Sequence, residues 1–316
     1  VQRMFEIKRY DPSQERTWND FVARSKNGTF LFDRRFMDYH SDRFDDSSLV
    51  VLRKGRIYAL LPANRVGDTL HSHQGLTYGG LLTDAKATAE GVLEVFDTLN
   101  AWLREAGIKK VRYKAMPWIY HRLPAEEDLY ALTQVCHARL LTREISSTIL
   151  LQQPLRFTES RKSGLRKALR EGLYMEESDD LAAFWQMLDD NLATRHHTHP
   201  VHSLDELRLL QRRFPQQIHL FLIYNKEKTP VGGTWVFDAG QVVHTQYIAS
   251  TDEGKAHGAL DLLFDELINR RYREGIYFDF GKSTEAGGTN LNEHLIFQKE
   301  GFGGRGVCYD TYEWKP

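Results

Sequence analysis

The stretch that decides the fold reads Tyr247-Ile248-Ala249-Ser250, then Thr251-Asp252-Glu253-Gly254-Lys255-Ala256-His257-Gly258, and closes at Tyr277-Phe278-Asp279-Phe280-Gly281. It predicts a strand, a glycine-bearing turn, a helix and a second strand. Within the helix, Leu260, Leu263, Phe264, Leu267 and Ile268 fall on one face at helical spacing. Glu274-Gly275 supplies a stop. A strand that opens through glycine into a helix N-terminus presents backbone N–H groups, and such an end suits a phosphate or pyrophosphate.

The same unit occurs earlier in the chain. Val92, Val95, Phe96, Leu99 and Leu103 form a helical stripe, Gly107 ends it, and the strand Lys110-Val111-Arg112-Tyr113-Lys114 follows. At constant offset Phe96 matches Phe264, Leu99 matches Leu267, and Gly107-Ile108 matches Gly275-Ile276. Each helix is preceded by a hairpin pattern. The first is Leu49–Leu52 with Ile57–Leu61; the second is His219–Ile223 with Val231–Phe237. The reading is an α/β (α+β) protein of two tandem domains, 1–153 and 154–316. Each is a mixed, mostly antiparallel sheet flanked by helices, and the helix near 86–106 corresponds to that near 258–274.

Around these units, Phe5–Tyr10 alternates as a strand, Asp11-Pro12 opens a helix carrying Trp18 and Phe21, and a short helix holds Phe36 and Met37. Helices are expected at 180–194 and 204–213, and Val307–Glu313 alternates as a closing strand. At 316 residues the length suits two domains, and 41% hydrophobic with 27% charged residues describes an ordinary globular chain. The net charge of −1 gives no global attraction to nucleic acid or an anionic membrane. Cys136 and Cys308, the only cysteines, form no disulfide or zinc framework, which points to a reducing compartment and a cytoplasmic location. No apolar run approaches a membrane span, and the first residues lack a signal-peptide core. Val1 in place of Met leads us to expect that residues precede it.

In the second half, the order of elements resembles the GNAT acyltransferase fold. Glu253–Gly258 stands where that family has its pyrophosphate loop; Asn290 and Phe297-Gln298-Lys299-Glu300-Gly301-Phe302 resemble its later helix and Gly-Phe ending. Two such domains in one chain look like the FemABX-type peptidyltransferases, which add amino acids to peptidoglycan precursors. Arg161–Ala168 with Gly172 is similar to that family's basic junction helix, Tyr78-Gly79-Gly80 to its first-domain glycine turn, and Phe278-Asp279-Phe280-Gly281 to its Asp/Asn-Phe-Gly strand end. The resemblance implies an acyl- or aminoacyltransferase acting on an amine, with a cell-envelope precursor as acceptor. It implies acyl-CoA or aminoacyl-tRNA as co-substrate and no tightly bound cofactor. Glu253, Ala256 and Phe297 depart from CoA-using members: an acidic side chain repels pyrophosphate, and phenylalanine has no proton for a leaving thiolate. The helical-hairpin arm of several FemABX members has no counterpart. An acetyl-CoA-dependent N-acetyltransferase and a non-catalytic ligand-binding protein remain the competing readings.

Acyl transfer needs a positioned donor, a polarised carbonyl and a base. The densest titratable cluster is Arg195-His196-His197-Thr198-His199-Pro200, expected on a loop facing the cleft; without carboxylate or cysteine partners at ligand spacing it suggests a base, not a metal site. His244 and Asp279 are further catalytic candidates. Donor contacts are expected from Gln246, Tyr247, Gly254, Lys255, His257, Gly258 and Ser283, and Gly232-Gly233 is expected to let its strand splay toward the donor. Arg161, Arg166, Lys167, Arg195 and Tyr78 are candidates for acceptor or phosphate, with tRNA as a candidate partner. The first domain is read as a degenerate copy serving structure or acceptor recognition.

Overall fold

The computed structural model describes residues 4–196 and 198–316, without the side chains of Arg195 and His196. The chain forms two compact units. The first comprises 1–144, 286–290 and 308–316; the second comprises 145–285 and 291–307. The division is therefore not a single cut after residue 153. Residues 145–153 lie in the second unit, and the end of the C-terminal strand lies in the first. A strand is held by ladder hydrogen bonds and not by sequence proximity, so a linear reading misses such an exchange.

In the first unit, Phe5–Arg9, Leu49–Arg53, Arg56–Leu61 and Leu82–Thr83 form an antiparallel sheet in that order. Helix Ala89–Glu105 follows, with the Thr88 hydroxyl accepting from the Gly91 N–H at its start. Gly107 lies past its end at φ +73, where glycine avoids the Cβ penalty. The next strand, Lys110–Lys114, pairs parallel with an inserted strand, Thr69–His71, and antiparallel with Arg305–Trp314. Val92, Phe96, Leu99 and Leu103 pack with Val111, Tyr113 and Trp314 into one core.

The second unit repeats this order. Tyr174–Glu177, Ile218–Tyr224, Pro230–Asp238 and Val242–Ser250 form an antiparallel run, a helical segment follows, and Tyr277–Lys282 pairs parallel with Val242–Ser250. In both units the long apolar helix thus follows the fourth strand of an antiparallel run, the relation expected of a duplication. The second copy is not one continuous helix. It divides into Asp252–His257, Ala259–Glu266 and a π turn, Leu267–Arg271. Its apolar face, Leu263, Phe264, Leu267 and Ile268, is buried against Phe278, Phe280 and Phe302. Burying side chains of this size contributes about 1.5–3 kcal/mol each.

Candidate active site

The parallel strands Val242–Ser250 and Tyr277–Lys282 share only three register pairs, the last being His244 with Asp279. Beyond that pair they part. Gly281, at φ +77, turns the second strand there, and a Cβ at this position would stand 3.2 Å from the His244 ring. A cleft of about 380 Å³ lies among Ile248–Ser250, Phe280 and the flanking helices. Its walls are mainly apolar, including Leu188, Leu192, Ile248, Leu260 and Phe264; among the described residues its charged groups are Lys255 and Lys299, and no carboxylate lines it. From helix Glu293–Gly301 and its end come Leu295, Gln298, Lys299 and Phe302, a spacing that puts them on one helical face.

At the fork, Asp279 is fully buried. One carboxylate oxygen accepts from Ser146 Oγ at 2.5 Å and Thr148 Oγ1 at 2.7 Å, while the other lies 2.8 Å from His244 Nδ1. Burial alone would raise its pKa, but hydrogen bonds and charge from His244, with those two hydroxyls, hold it below the usual carboxylate range. An ionised Asp279 accepting from Nδ1–H leaves Nε2 of His244 as the basic nitrogen. Lys299, also buried, donates to the carbonyls of Gly281 (2.8 Å) and Lys282 (3.0 Å). Burial lowers its pKa to about 8, against a smaller opposing effect of Asp279.

Of the residues expected from sequence, the structure pairs His244 with Asp279 where the strands part, outside the cleft lining, and places Lys255 in the cleft wall. Gln246 is half-buried and lines no part of the cleft, and its buried Oε1 has no partner. The Tyr247 hydroxyl joins His202 Nδ1 at 2.6 Å and its ring stacks on Trp235; burial pushes its pKa up to about 12. Tyr247 therefore neither lines nor plugs the cleft. Ser283 is buried away from it, its N–H donating to the Ile145 carbonyl.

The segment expected as a pyrophosphate loop forms the short helix Asp252–His257. The Thr251 hydroxyl accepts from the Gly254 N–H, and Glu253 accepts from Asn225 Nδ2. Gly254 is required because a Cβ would meet the Val231 carbonyl oxygen at 2.0 Å; Gly258, at φ +76, lies against the Gly164 carbonyl. His257 lies at that helix's end, outside the cleft lining. Gly232 and Gly233 do not splay their strand, which is paired on both sides at these positions; they admit close neighbours, Ala259 and the Phe221 carbonyl.

The basic helix, Glu159–Arg170, spends Arg161 on Asp261 (3.0 Å) and Arg166 on Glu159, leaving Lys167 exposed. Tyr78 is buried, with its hydroxyl 3.1 Å from that of Thr29. His199 is 76% exposed at the side chain and pairs with Asp189 at 2.6 Å; it does not line the cleft. His197 and the side chains of Arg195 and His196 lie outside the described residues. Three functional residues went unforeseen: Lys299, Ser146 and Thr148. For Lys299 a signal existed, since it shares the i, i+3, i+4, i+7 face of Leu295 and Phe302. Ser146 and Thr148 alternate on one strand, but nothing local tied them to Asp279.

Residues 158–288 match the model of the acetyltransferase (GNAT) domain. A search of curated protein sequences returns no significant match. Among solved structures, FemX aligns over 98% of this chain and 97% of its own, at 11% identity and a TM-score of 0.67. The L-PGS structure from Bacillus licheniformis aligns over 97% and 92%, at 13% identity and a TM-score of 0.60. A tandem GNAT protein from the clavulanic acid biosynthesis pathway aligns over 98% of both chains, at 12% identity and a TM-score of 0.50. The chain thus has a tandem GNAT-like fold, one it shares with FemX over 98% of its length. The GNAT domain makes acyl transfer its class of chemistry. No helix among the described residues is long and apolar enough to cross a membrane.

Proposed function

We propose that this chain transfers an uncharged acyl group from an activated thioester, held in the second unit's cleft, to an amine. The observation that carries this reading is the cleft itself: an apolar slot where two parallel strands part, with Lys299 in its wall and no carboxylate lining it among the described residues, and with a His–Asp pair buried at the last register pair of those strands, outside the cleft lining. An aminoacyl donor would bring a third ammonium group to a cleft that already holds Lys299 and Lys255, of which, among the described residues, only Lys255 has a carboxylate paired with it, Asp252 at 3.0 Å. Like charges about 4 Å apart repel by about 4 kcal/mol at an effective dielectric of 20. This favours a thioester over aminoacyl-tRNA. The fold resemblance supports a cell-envelope precursor as the amine's source.

In this reading His244, held by Asp279, takes the proton from the attacking amine. The donor carbonyl becomes an oxyanion as the nitrogen–carbon bond forms. Collapse breaks the carbon–sulfur bond, and the Lys299 ammonium returns a proton to the leaving thiolate. Phe297 cannot serve here: it has no proton to give, and it is 70% exposed. Lys255, which pairs with the exposed Asp252 at 3.0 Å, would exchange that partner for the donor's anionic carrier.

Calorimetry and single-turnover assays with acetyl-CoA, octanoyl-CoA and alanyl-tRNA test this. Octanoyl-CoA is expected to bind most tightly and acylate an amine probe such as a lysyl peptide. Tight acetyl-CoA binding without preference for the longer chain favours an ordinary acetyltransferase. Reaction with alanyl-tRNA alone overturns the donor assignment.

A further inference from the structure

We propose that the first unit holds a second binding site, for a phosphate or carboxylate oxyanion on a small molecule, in a recess of about 340 Å³ bordered by His71, Gln74, Arg112, Lys114, Thr142 and Thr311. The site belongs to the first unit alone and stands whether or not the donor reading does. It begins with strand alternation. In Lys110–Lys114, Val111 and Tyr113 enter the core, so Lys110, Arg112 and Lys114 share the opposite face. Register then assembles the recess: His71 pairs with Arg112 on one side, and Thr311 with Lys114 on the other.

Among the described residues no carboxylate borders the recess. The nearby Glu313 serves several cations at once: Arg112 at 3.1 Å, Arg139 at 2.7 Å and Lys110 at 3.9 Å. Arg112 reaches it through Nε, so the guanidinium's terminal nitrogens are available as a fork. Lys114 donates to the carbonyls of His73, Gln74 and Leu76. Those carbonyls satisfy its N–H groups without cancelling its charge. The His71 ring makes no hydrogen bond to protein, and burial with the positive charge of Arg112 and Lys114 lowers its pKa. The amide of Gln74, whose Oε1 accepts from Asn64, has its NH₂ left to donate, and the Thr142 and Thr311 hydroxyls add further donors. A fork-bearing guanidinium, an ammonium and several neutral donors around a carboxylate-free recess is what a small oxyanion requires.

The test uses the full chain labelled with ¹⁵N-histidine, titrated with inorganic phosphate and separately with succinate at constant ionic strength. The expected result is a saturable shift of the His71 ring signals, identified by their loss in His71→Gln. Saturation by either probe supports the site and names its oxyanion. Arg112→Gln should weaken binding by about tenfold, the worth of one charge-assisted hydrogen bond, with circular dichroism verifying the fold. Arg139→Gln, which removes a cation outside the recess, should change affinity less than twofold. Should Arg112→Gln unfold, Thr311→Val should still weaken binding measurably. No saturable shift with either probe, or equal weakening by Arg139→Gln and Arg112→Gln, overturns the proposal, since a diffuse positive surface would explain the latter.

Discussion

Asp279 is a buried charge, and the hydrogen bonds described above sustain its ionisation. Two hydroxyls and an imidazole surround it. Asp279→Asn keeps the shape but removes the acceptor that fixes Nδ1–H of His244. Turnover is expected to fall by about 10²–10⁴-fold, the range of general-base catalysis, with donor affinity changed far less; single-turnover kinetics and calorimetry separate the two. Lys299 gives a second expectation. Its ammonium is lost as pH rises through about 8, so a rate that needs that proton should decline there. Lys299→Met should lose both the rate and that limb of the profile. The same group leaves a mark on stability. Burial disfavours the charged form, so the folded state holds fewer protons than the unfolded state between about 8 and the ordinary 10.5. Relative to Lys299→Met, the native chain should therefore gain stability as pH rises through that window, as measured by urea denaturation.

Two glycines set how closely helix Glu159–Arg170 approaches the segment after the cleft strand. A Cβ on Gly164 would stand 1.9 Å from an Asp261 carboxylate oxygen, and one on Gly258 would stand 2.3 Å from the Gly164 carbonyl. Gly164→Ala should cost about 1–3 kcal/mol, as overpacking does, read from the denaturation midpoint. This contact also shows what was legible beforehand. The hairpins and the apolar helical stripes followed from periods of 2 and 3.6, and His244 and Asp279 were each legible as candidates on neighbouring strands, whereas their pairing was not. Gly254 and Gly258 each also serve a close backbone approach, since glycine marks close packing and ligand approach alike. Lys299 was passed over because a lysine beside Glu300 reads as solvent-facing until its helix face is traced.

Each compact unit is completed by chain from the other half. Residues 308–316 belong with 1–144, and residues 145–153 belong with the second unit. Separate expression of 1–153 should yield material without a cooperative urea transition, since Lys110–Lys114 would lose its antiparallel neighbour Arg305–Trp314 and expose an edge. Adding a peptide spanning 305–316 should restore a transition; a cooperative fold without it would show that the strand is dispensable. Such an exchange was not legible because strand partners distant in sequence leave no local pattern. It also governs when the molecule can exist during its own manufacture. A ribosome releases the first 144 residues long before it makes Cys308, at about 5–20 residues per second. For that interval the early half must wait with an open sheet edge, until the strand Arg305–Trp314 has been made.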